Sequence, residues 1–263
     1  MKYFDAHCHV QFPEYDADRE AVLERMKDAD VGGLVVGCDL SSSKKAVELA
    51  EGKDDFYASI GLHPNHEGDE SFEQGIYREL GQSMKVVAIG ECGLDYFRPT
   101  AVDEELKRKQ KALFQSHIEL AVMLKKPLVI HARPSKGTMD AYEDALDMLE
   151  VAQKQHPELR GDFHFFVGDV ATAKRIFKLD FTISYTAVLT FTHDYDEVVR
   201  SAPLTHILSE TDSPYVAPEG KRGQRNEPVS VMDVARTIAR IREEDEETVR
   251  TALLENAKRL FAI

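Results

Sequence analysis

An α/β fold, and within that class a closed (β/α)8 barrel, is what this 263-residue sequence predicts. Three observations carry the prediction. Short apolar runs alternate with amphipathic stretches from one end to the other, the pattern of parallel βαβ units. The runs number eight, the count of a closed barrel. The runner-up is an open doubly wound sheet, which calls for a glycine-rich phosphate turn after the first strand, and that turn is missing here. No linker, repeat or low-complexity tract interrupts the pattern, so residues 1–263 are read as a single domain.

In chain order, strands are expected at 3–9, 34–39, 56–63, 86–91, 127–131, 162–166, 181–186 and 207–212. Helical patterns fall near 16–30, 41–52, 70–83, 103–125, 137–155, 169–178 and 193–201, with a helical tail over 228–261. The 103–125 stretch shows the basis for these assignments. Leu106, Gln110, Leu113, Phe114, His117, Leu120, Ala121 and Leu124 fall on one face at helical spacing. Glu104 and Glu105 sit at its start and Lys125 and Lys126 at its end, which suits the helix dipole, and Pro127 stops it.

Hydrophobic residues make up 43%, enough for a sizeable core. No apolar run approaches the ~18 residues that span a bilayer, and the first residues lack the apolar stretch of a signal peptide. Cytoplasm, with no membrane partner, is the resulting expectation, and a monomer is expected. Cys8, Cys38 and Cys92 form no Cys-x-x-Cys pair, which argues against a disulfide framework or a thiolate zinc site. Acidic residues outnumber basic ones 47 to 33, for a formal charge of −14. Such a surface repels long nucleic acid, so a polyanionic substrate needs a local basic patch or bound cations.

Polar residues fall where a parallel barrel builds its chemistry, at the carboxyl ends of the strands. The first strand ends in His7-Cys8-His9, the third in His63, the fourth in Glu91, the fifth in His131 and the eighth in Asp212, while the sixth carries His164. A scatter of ten histidines would rarely put five there. Residues two apart share a strand face, so His7 and His9 both point inward with Cys8 turned to the helices. Two imidazoles on one strand can grip one divalent ion. Glu91 ends the apolar run Val86-Val87-Ala88-Ile89-Gly90, and a carboxylate there needs a cation or a partner. It is the candidate bridge between two ions. His131 and His164 complete a second ion's coordination. Asp212 is placed to ligate the first ion and accept a proton from attacking water. Glu210 shares its face by parity, and pattern leaves open which of the two points inward. His63, in Gly61-Leu62-His63-Pro64, is either a substrate contact or a packing residue. His117 is read as core or as a residue behind the site, and His66 as solvated. His156, His193 and His206 are read as remote from the chemistry.

These stretches together closely resemble the TatD family of metal-dependent hydrolases. The matching segments are Phe4-Asp5-Ala6-His7-Cys8-His9, Gly61-Leu62-His63-Pro64, Ile89-Gly90-Glu91-Cys92-Gly93-Leu94-Asp95 and Pro127-Leu128-Val129-Ile130-His131-Ala132-Arg133. Glu210-Thr211-Asp212-Ser213-Pro214, Arg225-Asn226-Glu227-Pro228 and Asn256-Ala257-Lys258-Arg259-Leu260-Phe261 follow in family order. The resemblance implies a TIM-like barrel holding two divalent ions, magnesium, manganese or zinc. It implies that His7, His9 and Asp212 serve one ion and His131 and His164 the other, with Glu91 between. It also implies deoxyribonuclease activity of the 3′–5′ exonuclease kind, acting on DNA ends or single strands. One departure stands out: the family usually reads His-Cys-Phe-Ser-Gly where this chain reads His164-Phe165-Phe166-Val167-Gly168, so a serine hydroxyl is missing there.

Two ions would acidify water and clamp both oxygens of an in-line displacement, with Glu91 and Asp212 as the catalytic carboxylates. Arg133 and the basic segment containing Lys221, Arg222 and Arg225 are candidates for holding further phosphates, because arginine forks suit phosphate. The alternative keeps the ions and changes the substrate to another ester or an amide, such as a lactone or aminoacyl-tRNA. A metal scaffold that only binds is the third reading, and the unbroken set of ligand candidates argues against it.

Overall fold

The computed structural model describes residues 1–66, 70–99 and 102–263. Its strands are β1 (Tyr3–Cys8), β2 (Val31–Val36), β3 (Phe56–Ile60), β4 (Val86–Asp95), β5 (Leu128–Arg133), β6 (Gly161–Phe163), β7 (Thr182–Tyr185) and β8 (Ile207–Ser209). They form one sheet in the order β1 to β8, every neighbouring pair parallel. The helices are α1 (Arg19–Asp28), α2 (Leu40–Ala50), α3 (Gln74–Leu80), α4 (Glu104–Leu124), α5 (Asp140–Gln153), α6 (Val170–Lys178), α7 (Asp196–Ser201), α8 (Val231–Arg242) and α9 (Glu246–Phe261). This is the predicted TIM-like (β/α)8 architecture. Among the described residues no helix is long and apolar enough to cross a membrane.

The first and last strands meet over a short seam at the carboxyl rim. Cys8 and Ser213 form a parallel bridge. The His9 N–H donates to Ser213 O at 2.8 Å and the Asp212 N–H to His7 O at 2.9 Å. Asp5 pins the seam from beneath: its carboxylate accepts the backbone N–H of Thr211 at 2.8 Å and that of His7 at 3.2 Å. The Thr211 hydroxyl bonds the same carboxylate.

Apolar packing divides in two. Most of the core lies between sheet and helices, around Ile60, Ile89, Phe114, Ile130 and Phe163. A separate cluster of Phe4, Ala6, Leu34, Val36, Ala88, Val129 and Leu208 packs against Leu254, Ala257, Leu260 and Phe261 of α9. Val129 shares a strand face with His131, and Leu208 shares one with Glu210. The barrel interior is therefore hydrocarbon toward α9 and polar toward the opposite rim.

Several boundaries differ from expectation for identifiable reasons. The second strand begins at Val31 and ends at Val36. Gly32 and Gly33 weaken its sequence signal, and Asp39 leaves the sheet to cap α2, accepting the Ser42 N–H at 2.6 Å. β6 stops at Phe163 and β8 at Ser209, so His164 and Asp212 lie in the connections just past their strands rather than inside them. β4 runs through Glu91 to Asp95. The helical tail is two helices. Glu243, with φ +56°, ends α8, and Asp245 caps α9 by accepting the Thr248 N–H at 2.9 Å.

Two register shifts prepare the site. On β1, Asp5 pairs with Gly33 and Cys8 with Val35, so Ala6 and His7 together face Leu34 alone. On β4, Ile89 pairs with Leu128 and Cys92 with Ile130, so Gly90 and Glu91 together face Val129. Each is a bulge, the device that re-aims a side chain without ending the strand. The β4 bulge needs glycine. Gly90 (φ +151°) and Gly93 (φ +127°) lie so close to the β5 backbone that a Cβ on either would collide with it.

Candidate metal centre

The re-aimed side chains converge on Glu91, which is 4% exposed. Its Oε1 lies 2.9 Å from His164 Nε2, 3.1 Å from His131 Nδ1 and 3.4 Å from His63 Nε2. Its Oε2 lies 3.6 Å from His7 Nε2. On the far side His7 Nε2 is 3.2 Å from His9 Nε2. Asp212 Oδ1 stands 3.4 Å from His9 Nε2 and 3.8 Å from His7 Nε2. Six chain segments far apart in sequence thus meet at one largely buried point.

Outer hydrogen bonds decide what each imidazole presents. The Val36 carbonyl accepts from His9 Nδ1 at 2.9 Å, so Nδ1 carries the proton and Nε2 turns a lone pair to the centre. Asp95 Oδ2 accepts from His131 Nε2 at 3.1 Å, which leaves the His131 Nδ1 lone pair facing inward. Glu210 Oε1 lies 3.5 Å from His164 Nδ1 and selects the same arrangement for that ring. His63 is fixed the opposite way. Its Nδ1 accepts the Asn65 N–H at 3.0 Å, so its Nε2 carries a hydrogen and faces Glu91 as a donor. His9 and His131 are therefore set to ligate, and His63 to donate a hydrogen bond.

Lone pairs aimed at one another repel unless a cation sits among them. His131 Nδ1 and His164 Nε2 are 3.3 Å apart, close to the His7–His9 separation. Ligands about 2.0–2.1 Å from a tetrahedral divalent ion are themselves about 3.3–3.4 Å apart, so the donor set suits such ions. His7, His9 and Glu91 form one group able to hold a metal, and Glu91, His131 and His164 another. His7 Nδ1 and His164 Nδ1, the ring nitrogens opposite those that face Glu91, are buried without a hydrogen-bond partner.

The charges are strongly coupled. Burial pushes the Glu91 carboxyl up, but His63 and His164, with hydrogen bonds from His131 and His164, outweigh it and hold Glu91 well below the usual carboxylate range. Burial lowers His164, yet Glu91 and Glu210 hold it well above the ordinary histidine value. Burial dominates at His63 and brings it down to about 3, so that ring stays neutral at physiological pH.

A cavity of about 940 Å³ opens above the centre, and His9, His63, Glu91, His131, His164 and Asp212 reach its wall. Arg133 lines it too, as does His66, which sequence alone placed in solvent. Arg225 does not. Its fork takes both carboxylate oxygens of Asp18, at 2.6 and 2.7 Å, and reaches Glu227 at 3.2 Å. This corrects the expectation that Arg225 meets substrate, because tertiary folding brings in an acid that the local window does not contain. Arg222 stacks its guanidinium 4.2 Å from the Phe191 ring and lies outside the cavity lining. Glu210 and Asp212 both turn toward the centre: Asp212 contacts the His7–His9 pair, and Glu210 stands behind His164 while accepting the Phe165 N–H at 2.7 Å. Val167 lines the cavity where the family pattern has serine.

Sequence reasoning missed Asp95 and Cys38. Asp95 shares parity with Glu91 along β4, a usable signal that was passed over because the strand was ended early. Cys38, just past β2, donates its thiol to Glu91 Oε2 at 3.3 Å, and nothing in its surroundings in sequence marks it. His117 accepts the Leu62 N–H at 3.0 Å and so supports the segment leading to His63.

The family described as TatD related DNase matches residues 4–262. The metal-dependent hydrolase YabD of Bacillus subtilis (strain 168) is 38% identical over 99% of both chains. The metal-dependent hydrolase YcfH of Escherichia coli (strain K12) is 32% identical over 100% of this chain and 97% of its own. Among solved structures, the TatD homologue YjjV of Escherichia coli K12 superposes with a TM-score of 0.88 at 27% identity, covering 100% of this chain and 98% of that one. With the barrel and its histidine–carboxylate centre, these matches establish that the chain belongs to the TatD family of metal-dependent hydrolases.

Proposed function

We infer that this hydrolase is a phosphodiesterase that cleaves nucleotides from DNA ends, and that Glu91, shared by two donor groups, would help hold two divalent ions. One observation carries the reading: Glu91 belongs to both the His7–His9 group and the His131–His164 group. His7, His9 and Asp212 would hold one ion, and His131 and His164 the other. When bound, magnesium, manganese or zinc ions supply Lewis acidity at a phosphoryl oxygen and lower the pKa of water to about 7.

The chain's own groups do the rest. Asp212, 15% exposed at its side chain, reaches both buried ligands and the cavity, so it is placed to orient a water and take its proton. The His63 Nε2–H can donate to a phosphoryl or leaving-group oxygen, since its tautomer is set by Asn65. Arg133 offers its fork to a further phosphate of the substrate from the cavity wall. Phe12 and Tyr215 line the same cavity and give an unpaired base an apolar face.

The test strips the protein of metal, restores manganese, magnesium or zinc singly, and compares single-stranded DNA ends, RNA and simple carboxylic esters. Metal-dependent release of nucleotides from DNA ends is expected. Turnover of esters with no phosphodiester cleaved would sink the reading.

A further inference from the structure

Three cations gather on the β4–β5 side of the cavity and take no part in the cluster around Glu91. Arg98 follows β4, Arg133 ends β5 and Lys136 follows it, and all line the cavity. Strand register puts their loops side by side, since Asp95 pairs with Arg133. In a chain of formal charge −14, this wall inverts the prevailing sign.

Arg98 is the most engaged of the three: its Nε forms an ion pair with Asp95 Oδ2 at 3.6 Å, longer than a hydrogen bond. That carboxylate is already engaged, accepting the N–H groups of Phe97 at 3.0 Å and Arg98 at 2.9 Å and facing His131. Arg133 lays its guanidinium face on the Phe97 ring at 4.2 Å. Among the described residues the Arg133 N–H edge and the Lys136 ammonium make no hydrogen bond or ion pair. A fork held flat by a ring, with its edge bare, is set for two parallel hydrogen bonds to phosphate. The loop bearing Lys136 is preformed as well. Asp140 accepts the Ser135 N–H at 2.9 Å, the Ser135 hydroxyl at 2.8 Å and the Thr138 hydroxyl at 2.9 Å.

We propose that Arg98, Arg133 and Lys136 form a second anion subsite, which holds the phosphate adjoining the one being cleaved. The proposal rests on the phosphodiesterase reading above and adds a specificity to it. That neighbouring phosphate has two sources, a terminal phosphomonoester or the next internal phosphodiester.

The test uses the manganese-loaded enzyme and five substrates. Bis(p-nitrophenyl) phosphate and a dinucleoside monophosphate carry one phosphate. The same dinucleotide with a 5′- or a 3′-terminal phosphate, and a trinucleotide, carry a second. A second phosphate should lower KM about tenfold, the worth of one charge-assisted contact, while kcat changes little. Arg98→Ala combined with Lys136→Ala should erase most of that advantage. Arg98→Gln alone, which keeps a long polar side chain, should erase part of it. Lys154→Ala, on the exposed end of α5, should keep it whole. An advantage confined to one phosphorylated dinucleotide identifies the monoester and its end, and one shared with the trinucleotide identifies the diester. No advantage in the wild-type enzyme, or one that survives in the double variant, overturns the subsite while leaving phosphodiester hydrolysis standing. Failure to cleave any phosphodiester overturns both.

Discussion

On the seam side of the rim, where β1 meets β8, His9 is backed by the neutral carbonyl of Val36 and His7 Nδ1 by no hydrogen-bond partner. Across the rim, on β5 and just past β6, His131 is backed by Asp95 through a hydrogen bond, and His164 Nδ1 has the Glu210 carboxylate 3.5 Å away without bonding it. A carboxylate behind an imidazole raises its basicity and fixes its ring. The seam has a different asset: Asp212 lines the cavity there. On the two-ion reading proposed above, the wall would hold its ion through an imidazole oriented by a carboxylate, and the seam would hold one beside Asp212, the proposed proton acceptor.

The most damaging change is at the residue shared by both sides. Glu91→Gln should lower turnover by about 10³-fold or more while the circular dichroism spectrum stays that of the folded barrel. Near-normal rates would dissolve the link between the two halves. Asp212→Asn should lower kcat by about 10²-fold or more, with the wall ion retained. Metal analysis of the dialysed variant checks this, and loss of both ions would erase the distinction drawn here. Asp95→Asn should weaken metal binding by about 10–100-fold and be rescued by excess metal. On the seam no carboxylate accepts a hydrogen bond from behind an imidazole, so an unchanged chelator titration for this variant would make the two sides equivalent.

The smallest effect lies outside both sides. Burial lowers His117 from 6.5 to about 4, so the folded ring resists a proton that the unfolded chain accepts. Its contribution is intact above pH 6.5 and declines as pH falls toward 4. The loss at pH 5.5 is on the order of 1 kcal/mol. His117→Gln, which cannot take up a proton, should flatten the melting temperature between pH 6.5 and 4 relative to wild type. Curves of equal slope would assign the acid sensitivity to the metal centre instead.

Much of this was legible in the residues. His7 and His9 are two apart on a strand, and Glu91 closes an apolar run, so parity and the cost of burying a charge pointed to them directly. Helix α4 announced itself through its spacing and the acids Glu104 and Glu105 at its start. What escaped has a common cause. The bulges at Ala6–His7 and Gly90–Glu91 exist only relative to the neighbouring strand. The opposite tautomers of His63 and His131 are selected by Asn65 and Asp95, and the fate of Arg225 by Asp18, which is distant in sequence. At β6 the connection through Phe165 and Phe166 reads as apolar as a strand, and at β8 Glu210 and Thr211 stay buried past the last strand residue, so neither end shows in the sequence.

The seam through Cys8 and Ser213 also sets a condition on synthesis. The His7–His9 pair emerges early from the ribosome, whereas Asp212 and the β8 backbone that holds it emerge when most of the chain has been made. A nascent chain therefore carries the two imidazoles without Asp212, and its first strand keeps an open edge until β8 arrives. If the pair takes a cation as proposed, its full donor set would exist only once the ring has closed.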